Sequence, residues 1–486
     1  MNFKKRHIIL LSIAALLLGF LGAYLGVSFA QSNNPFTSNN RLQQEGLLTE
    51  ELDEIQPPEN INKVNKAYGL IKQHYIEDIE DDKLIEGAIK GMLSTLEDPY
   101  STYMDVEEVE EFNDQIESSF EGIGAEVSMI NGQVTIVAPI KDSPAEKAGL
   151  RPNDQVLSVD EESLEGLDLS EAVAKIRGEK GSEVVLEIKR NGAKEPFEIT
   201  IVRDTIPVET VYSEVVTKEK EKIGIIEITN FSEGTADEFN NHLTKLESKG
   251  ITGLVIDVRG NPGGLLNSVE EILEHFIPND VPYIQIEDPD GEKEKYYTGL
   301  KEKKDYPINV LVNEGSASAS EILAVAMKEV GYDVIGTTSF GKGTVQQAVP
   351  LGDGSTIKLT FYKWLSPKGN WINEKGVKPT IEVKQPDYYH ANPVHIKEPL
   401  QYDQTGEHIE NIQQMLQGLG YDPGRTDGYF SKETEASIKS FQKDHNLKVT
   451  GEIDEETAGL IEGKIYEIVR EGKDDHQLQK AIESLQ

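Results

Sequence analysis

The sequence predicts a multidomain α+β protein: an N-terminal membrane helix, a helical segment, a β-rich domain, an α/β core and a small α-helical C-terminal domain. Three observations support this fold class. Residues 8–30 form an uncharged apolar run. Residues 120–203 alternate short β-type runs with Gly, Asn-Gly and Pro turns, and strand-type and helix-type segments alternate from about residue 205. With 486 residues, the chain is long enough for three or four domains.

Composition excludes several classes of function. The net charge of −38 argues against nucleic-acid binding, because a phosphate backbone repels such an acidic surface. The chain has no cysteine, so disulfides, a thiolate nucleophile, a lipid-modified cysteine and a zinc ribbon are all excluded. We predict no metal site and no cofactor.

The N-terminus predicts export. Residues 4–6, Lys-Lys-Arg, precede the apolar run of residues 8–30, and such a positive flank indicates a cytosolic N-terminus and an exported remainder. The run is 23 residues long, whereas a signal-peptide core has about 7–15 residues and a spanning helix needs about 20. We therefore favour a single-pass transmembrane anchor in residues 1–30 at the cell membrane. The alternative is a signal sequence cleaved near Ala30, which would make the rest a secreted protein.

A linker and a helical region follow. Residues 31–59 are rich in Asn, Ser, Gln and Pro and are predicted to be a linker. In residues 60–118, apolar side chains such as Val64, Tyr68 and Ile71 recur at helical spacing. We predict that these helices pack on another domain or join two copies of the chain in a homodimer.

The β-rich domain is predicted to span residues 119–204. Its short runs of β-favouring residues are separated by turn residues at regular intervals. One helix is predicted inside it, at residues 169–176, with Asp168 or Ser170 as the N-cap residue.

The remainder of the chain is an α/β core with a smaller C-terminal part. Strands and helices alternate through residues 205–384, which predicts a largely parallel sheet covered by helices and closed by a β-hairpin around Gly352–Gly354. Residues 385–404 are a second predicted linker. A small helical module follows at residues 405–463, and the charged tail, residues 464–486, is predicted to be a frayed helix.

Three serines lie at a predicted helix start in the segment NEGSASASEIL, namely Ser316, Ser318 and Ser320. They follow an apolar strand, and sites in open α/β sheets form at the carboxyl ends of strands. The helix dipole and free N–H groups there would favour a nucleophile and an oxyanion. The alternative is a helix cap, because Ser is a preferred N-cap residue and the G-x-S-x-G elbow is absent.

A lysine is the candidate base for such a serine. No histidine of the chain lies in a small-residue turn of the α/β region, so a Ser–His–Asp triad is poorly supported. Lys342 lies between two glycines in SFGKGTVQQ, and burial would lower its pKa enough to leave it neutral. Gln346, four residues on, is placed to orient the ammonium. The alternative is an exposed lysine in a hairpin turn.

The third candidate segment is DVRGNPGGLL, residues 257–266, at the end of a predicted strand. Its glycines expose backbone N–H groups, which suit either an anion cradle for phosphate or an oxyanion hole. A Walker loop is excluded, because no Lys-Ser or Lys-Thr follows. An ordinary βα turn is the remaining alternative.

Taken together, these segments resemble the carboxy-terminal processing, or tail-specific, protease family of Ser–Lys peptidases. The resemblance is carried by GSASASEILA, FGKGTVQ, DVRGNPGG, GAIKGMLSTLEDPYSTYM and GVKPTIEV, and it covers roughly residues 60–385. It implies a protease core made of residues 60–118 and 205–384, with crotonase/ClpP-like βα units. It also implies a set of site residues, with Ser318 as nucleophile, Lys342 as general base, Gln346 as the lysine-orienting residue, and backbone oxyanion donors at Gly263, Gly264 and Ala319.

The same resemblance implies that residues 119–204 are a PDZ domain, which in this family presents the substrate's carboxyl tail to the protease. PDZ domains add a peptide as an extra strand and hold its terminal carboxylate with backbone N–H groups. The carboxylate-binding loop falls on GIGA, which contains Gly122, Ile123 and Gly124. Arg177, after the predicted helix, is a candidate for a switching contact with the protease core. Its alternative is a solvated turn residue.

Residues 405–463 resemble the helical peptidoglycan-binding repeat, in which the aromatic residue at Phe441 packs in the core. The chain therefore resembles a membrane-anchored serine endopeptidase with an extracytoplasmic catalytic domain, which binds peptidoglycan and cuts proteins that carry a free C-terminus. Two alternatives are a non-catalytic PDZ and wall-binding scaffold, and a crotonase-like acyl-transfer enzyme.

Overall fold

The structure, a computed structural model, describes residues 59–485 apart from positions 131, 191, 192, 219, 393, 395, 397, 471 and 473. The predicted membrane segment 1–30, and all but the last residue of the predicted linker 31–59, lie outside the described residues. Within the described range, no helix combines the length and the apolar composition needed to cross a membrane.

In the described part of the chain, a 3-10 helix (Glu59–Ile61) is followed by three α-helices and a short strand that precede the β-rich domain. They are α1 (Asn62–His74), α2 (Asp81–Ser94), β1 (Thr102–Met104) and α3 (Val106–Glu117). Helix α3 begins with a capping box, in which the carboxylates of Asp105 and Glu108 each accept the backbone N–H of the other residue. Within the described part of the chain, no residue of α1 or α2 is buried. The apolar side chains of these two helices therefore lie at the surface.

The β-rich domain is built around one antiparallel sheet. Its elements are β2 (Ser119–Gly122), β3 (Ala125–Ile130), β4 (Gln133–Pro139), α4 (Pro144–Lys147), β5 (Gln155–Val159), β6 (Glu162–Ser163), α5 (Leu169–Ile176), β7 (Glu183–Lys189), β8 (Phe197–Val202) and β9 (Asp204–Pro207). The sheet order is β3-β4-β5-β7-β8, so β3 is an edge strand, while β2 pairs with β9. The predicted helix is confirmed as α5, and its cap is Asp168, whose carboxylate accepts the Glu171 N–H at 2.9 Å.

The α/β core begins after β9. Its elements are β10 (Val211–Lys218), β11 (Glu221–Ile228), α6 (Thr235–Ser248), β12 (Gly253–Asp257), α7 (Leu266–Leu273), β13 (Pro282–Glu287), β14 (Lys293–Tyr297), β15 (Ile308–Val312), α8 (Ala319–Glu329), β16 (Asp333–Gly336), β17 (Thr344–Pro350), β18 (Thr356–Leu365) and β19 (Ile381–Glu382).

The main sheet of the core has the order β10-β11-β12-β15-β16-β19, and every neighbouring pair except β10–β11 is parallel. This confirms the predicted, largely parallel sheet. Helices α6, α7 and α8 pack on it through side chains such as Phe239, Ile272 and Leu323. A second, antiparallel sheet contains β1, β18, β13 and β14, and β17 pairs with β18 as the predicted closing hairpin, which is confirmed.

The C-terminal module is helical and has its own core. Phe430 and Phe441 are fully buried there, which confirms the packing position implied for Phe441. Tyr388, from a short 3-10 helix in the linker (Asp387–His390), packs into the same core. The helices of the module are α9 (Glu407–Gly418), α10 (Lys432–Asp444) and α11 (Glu455–Arg470).

The tail contradicts the prediction of a frayed helix beyond residue 463. Helix α11 continues to Arg470, and a last helix, α12 (His476–Glu483), packs on the face of the main sheet. Leu478, Ala481, Ile482 and Leu485 form an apolar stripe at helical spacing and join the same core cluster as sheet residues, including Val255 and Leu311. The charged residues between them made the segment look solvated, although the stripe has a partner in the sheet.

Candidate active site

Ser318 lies between β15 and α8 in an unusual backbone conformation. The strand ends at Val312, and the chain turns so that Ser318 precedes the first residue of α8 with φ +52° and ψ −112°. Positive φ is uncommon for a residue with a side chain and is concentrated at functional sites, because the surroundings must offset the strain. The turn therefore presents Ser318 at the carboxyl end of a parallel strand, where sites form in such sheets.

The other two serines are used for structure. The Ser316 hydroxyl donates to the Val258 carbonyl at 2.7 Å, and the Ser320 hydroxyl donates to the Asn261 carbonyl at 2.9 Å. Both side chains are fully buried, whereas Ser318 is partly exposed. These bonds tie the segment of residues 316–320, called here the serine turn, to the turn after β12. Ser318 is left as the serine that a substrate can reach.

Glu321 organises the backbone on both sides of the site. Its carboxylate is fully buried, and Oε2 accepts the N–H groups of Ser318 at 2.9 Å and Lys342 at 2.8 Å. Oε1 accepts the N–H of Gly341 at 2.7 Å and the Ser339 hydroxyl. Glu321 was not among the predicted site residues. An acidic residue followed at once by the apolar run ILAVAM was the available signal, because a buried charge requires partners.

Burial lowers the pKa of the Lys342 ammonium, and repulsion from Lys358 lowers it further, against the opposing charges of Asp98 and Glu321. A larger fraction of this lysine is therefore neutral than of an exposed lysine at the same pH. The glycine after it is required by space: a Cβ on Gly343 would lie 2.8 Å from the Asn373 backbone nitrogen. The ammonium lies 4.9 Å from the centre of the Tyr100 ring.

Gln346 does not hydrogen-bond Lys342 among the described residues. Its amide nitrogen donates to the hydroxyls of Thr344 at 2.8 Å and Thr360 at 3.1 Å. The Thr360 hydroxyl in turn donates to the Asp98 carboxylate at 2.6 Å. The structure thus places Gln346 in a hydrogen-bonded chain near the lysine, with the lysine itself over Tyr100.

Asp98 and Tyr100 are site neighbours in a segment that was predicted only to pack or to form an oligomer. Burial raises the pKa of Asp98, but hydrogen bonds from the hydroxyls of Ser101 and Thr360 and from the Tyr100 N–H outweigh it, so the pKa lies below its usual value. The Asp98 carboxylate therefore stays charged and opposes the loss of the Lys342 proton. The segment LEDPYSTYM, with its turn at Pro99, was the signal that could have identified them.

The turn after β12 touches Ser318. A Cβ on Gly263, which has φ +106°, would lie 2.8 Å from the Ser318 Cβ and 3.0 Å from the Ala319 nitrogen, so only glycine fits. The Gly263 N–H, however, donates to the Asn261 side chain at 2.8 Å. Among the described residues, the Gly264 and Ala319 N–H groups have no acceptor. Two of the three predicted oxyanion donors, the N–H groups of Gly264 and Ala319, are therefore available in this structure, whereas the Gly263 N–H is engaged.

The predicted peptide-binding residues lie beside the edge strand β3. Gly122 ends β2, Ile123 is buried, and Gly124 has φ +74°. The Gly124 carbonyl accepts the Ser143 hydroxyl at 2.8 Å, which holds the loop in place. An edge strand next to such a loop offers the unpaired backbone groups that a peptide strand needs.

Arg177 contacts a neighbouring helix instead of lying free in solvent. Its Nη1 lies 3.2 Å from the Asp114 carboxylate on α3, and its guanidinium lies 5.0 Å from the centre of the Phe120 ring. Helix α3 also contacts the core, because the Ser232 hydroxyl donates to the Gln115 carbonyl at 2.9 Å. The β-rich domain and the α/β core are thus connected through α3.

Within the described ranges, no group of three or more His, Asp or Glu side chains is arranged to hold an ion. The candidate reactive groups are a serine at a strained helix start and a half-buried lysine, on an α/β sheet that is joined to an antiparallel β-domain. This combination defines the chain as a serine-type peptidase.

Family comparisons give the particular class. The chain matches peptidase family S41 over residues 222–383, a PDZ domain over 122–201, a peptidoglycan binding domain over 405–461, and the activating protease CtpB N-terminal domain over 16–108. It belongs to the carboxy-terminal processing proteases of peptidase family S41.

Two relatives from Bacillus subtilis agree with this assignment. The carboxy-terminal processing protease CtpB of Bacillus subtilis is 50% identical over 486 residues, which cover 100% of this chain and 99% of the relative. The protease CtpA of the same organism is 44% identical over 426 residues, covering 87% and 90%. The solved photosystem II D1 C-terminal processing protease is 25% identical, with a TM-score of 0.41 over 66% of this chain and 92% of that chain.

Proposed function

We propose that this peptidase cuts exported proteins, which it recognises through their C-terminal tails, by a Ser318–Lys342 acyl-enzyme mechanism. The observation that carries the proposal is the shared Glu321 oxygen, which joins the backbones of the two residues. A serine hydroxyl needs a base, and a lysine supplies one when burial leaves it neutral. The lowered pKa of Lys342 supports that role.

The chemical steps follow from these positions. Neutral Lys342 takes the hydroxyl proton as the Ser318 Oγ bonds to the scissile carbonyl carbon. Backbone N–H groups of Gly264 and Ala319 stabilise the oxyanion, and the Gly263 N–H joins them if it leaves the Asn261 side chain. When the C–N bond breaks, Lys342 gives its proton to the leaving amine. Water then attacks the ester, Lys342 accepts the water proton, and Ser318 recovers a proton as it leaves.

Gln346 acts on the orientation of the lysine. Its amide nitrogen is engaged by Thr344 and Thr360, so its carbonyl oxygen is the group that would accept from the Lys342 ammonium after proton transfer. This contact requires the ammonium to move from its position over Tyr100.

The PDZ domain selects the substrate in this proposal. A tail peptide adds to the edge strand β3, and its carboxylate binds the N–H groups of the loop that contains Gly122, Ile123 and Gly124. The C-terminal module, residues 405–463, binds peptidoglycan, and residues 1–30 hold the chain in the cell membrane. Exposed apolar side chains of α1 and α2, including Ile71 and Met92, suit a homodimer contact.

A fluorophosphonate label tests the proposal, because it bonds to an activated serine. The full-length chain and its Ser318→Ala variant are treated with the label and, separately, assayed on casein. The proposal expects labelling and cleavage in the parent and neither in the variant. Absence of both in the parent would favour a non-catalytic PDZ and wall-binding scaffold, and labelling without proteolysis would favour a crotonase-like acyl-transfer enzyme.

A further inference from the structure

Arg259 lies on the turn after β12 with every guanidinium donor engaged. Nε and Nη2 donate to the Asp257 carboxylate at 2.9 and 2.6 Å. Nη1 and Nη2 donate to the Asp475 carboxylate at 2.9 and 2.8 Å, and Nη1 also donates to the Gln477 side chain at 3.2 Å. The side chains of Arg259, Asp257 and Asp475 are only 16%, 12% and 9% exposed. Such a bidentate pair fixes both the position and the plane of the guanidinium.

Asp475 is itself held at the start of α12. Its Oδ1 accepts the Leu478 N–H at 2.9 Å as the N-cap of that helix, and the Gln385 side chain donates to the same oxygen at 2.7 Å. The apolar stripe of α12 anchors the helix on the main sheet. The carboxylate is therefore presented to Arg259 from a docked element, 216 positions further along the chain.

Residues on both sides of Arg259 accept hydrogen bonds from the serine turn, residues 316–320. The Val258 carbonyl accepts the Ser316 hydroxyl, and the Asn261 carbonyl accepts the Ala317 N–H at 3.0 Å and the Ser320 hydroxyl. A shift of Arg259 would move both carbonyls, and with them Gly263, which packs against Ser318.

We propose that Asp475 is a positioning residue for catalysis, which holds Arg259 and thereby the turn of residues 258–264 in the arrangement that Ser318 requires. The C-terminal tail is then a working part of the protease core. This inference rests on the proposed role of Ser318 as nucleophile.

The expected effect falls on turnover. An amide in place of the Asp475 carboxylate removes the charge and turns a donor toward Arg259, which leaves guanidinium donors unpaired in a buried site. We expect Asp475→Asn to lower kcat about tenfold or more, with KM changed less than about twofold, because the tail-binding groove lies in another domain. Gln477→Met removes the weaker acceptor of Arg259 together with a donor to the Val383 carbonyl, and should lower kcat about threefold.

The test uses the full-length chain. An internally quenched peptide with a free carboxylate gives kcat and KM, and the rate of fluorophosphonate labelling at saturating reagent reports the Ser318 site without the PDZ domain. Glu483→Gln is the matched control, because it removes an exposed ion pair between the same helix and Lys218. The proposal expects slow labelling in Asp475→Asn and Gln477→Met and parental labelling in Glu483→Gln.

Three results would overturn the positioning role. They are parental kcat and labelling in Asp475→Asn, an equal loss in Glu483→Gln, which would indicate general weakening of the tail, and, if Asp475→Asn does not fold, parental labelling in Gln477→Met. A Ser318→Ala arm separates the two proposals, since labelling that persists in that variant counts against the nucleophile and not against Asp475.

Discussion

Ser318 and Lys342 are joined through one oxygen atom, because the backbone N–H groups of both residues donate to Oε2 of Glu321, at 2.9 and 2.8 Å. The buried Glu321 carboxylate accepts four hydrogen bonds. It thereby fixes the relative position of two turns that follow different strands. The geometry of the proposed Ser318–Lys342 dyad therefore depends on a residue that contacts both residues through their backbones.

We expect Glu321→Gln to lower kcat about ten- to hundredfold, because its amide group would face N–H donors that need an acceptor. Activity on a quenched peptide and the fluorophosphonate labelling rate measure the effect. Glu329→Gln is the matched control: it lies on the same helix, and its carboxylate accepts from Ser366 and Lys368 away from the site. Equal loss in the two variants would contradict a specific role for Glu321.

The three serines should separate by function. Ser318→Ala should abolish cleavage without lowering the free energy of unfolding appreciably. Ser316→Ala and Ser320→Ala should keep measurable activity but unfold more easily, each by about 1 kcal/mol, because each removes a buried hydrogen bond. Denaturant melts beside peptide assays give both quantities. Inactivity of all three folded variants would contradict the assignment of Ser318.

The rate of cleavage should rise with pH. A protonated lysine cannot accept the serine proton, so activity follows the neutral fraction of Lys342, and burial places the midpoint below the usual lysine pKa of 10.5. Lys342→Arg should be inactive, since arginine stays protonated. Turnover of Lys342→Arg at the parental rate would refute the base role.

The pH at which the cleavage rate rises, which is the rising limb of the pH–rate profile, should depend on Lys358. Its positive charge lowers the pKa of Lys342, so Lys358→Met should raise that pKa and shift the limb to higher pH. Lys363→Gln is the control, because Lys363 is on the same strand but pairs with Glu287 at 3.1 Å. A limb that moves equally in both variants, or in neither, would argue against this electrostatic coupling.

A substrate's terminal carboxylate should matter for cleavage. Amidation removes the charge that the loop of residues 122–124 would bind, and the lost charged hydrogen bond should reduce affinity about tenfold or more. Paired free-acid and amidated peptides, compared by kcat/KM, measure this difference. Equal rates would indicate that the PDZ domain serves as a spacer and does not select tails.

The contact between Arg177 and Asp114 predicts an effect on basal activity. Arg177→Ala should change the cleavage rate of a short peptide but leave the melting temperature within about 1 °C, because an exposed ion pair contributes little to stability. Lys175→Ala is the control: Lys175 lies on α5, two residues before Arg177, and its ion pair is with Glu162 of β6 and not with α3. Unchanged activity in Arg177→Ala would exclude the switching contact.

Local pattern was enough for much of the fold. Helix α5 has the predicted bounds and one of its two predicted caps, the parallel sheet follows from the β-α-β-α order, and the hairpin surrounds its predicted glycines. Each of these depends on residues that are close in the chain, so periodicity and turn chemistry identify them. The packing of the tail could not be predicted in this way, because the surface that buries Ala481 and Ile482 comes from strands far away in sequence.

The sequence by itself determined which segments are candidates for the chemistry, since the serine, lysine and glycine turns are each recognisable from a few consecutive residues. Only the tertiary structure decided which hydrogen bonds each residue makes there. The hydroxyls of Ser316 and Ser320 donate to carbonyls of another turn. The Gly263 N–H donates to the Asn261 side chain, and the Asp475 carboxylate accepts from Arg259. The physical reason is that a hydrogen bond depends on a distance in space. A donor and an acceptor 216 residues apart leave no mark on either local pattern.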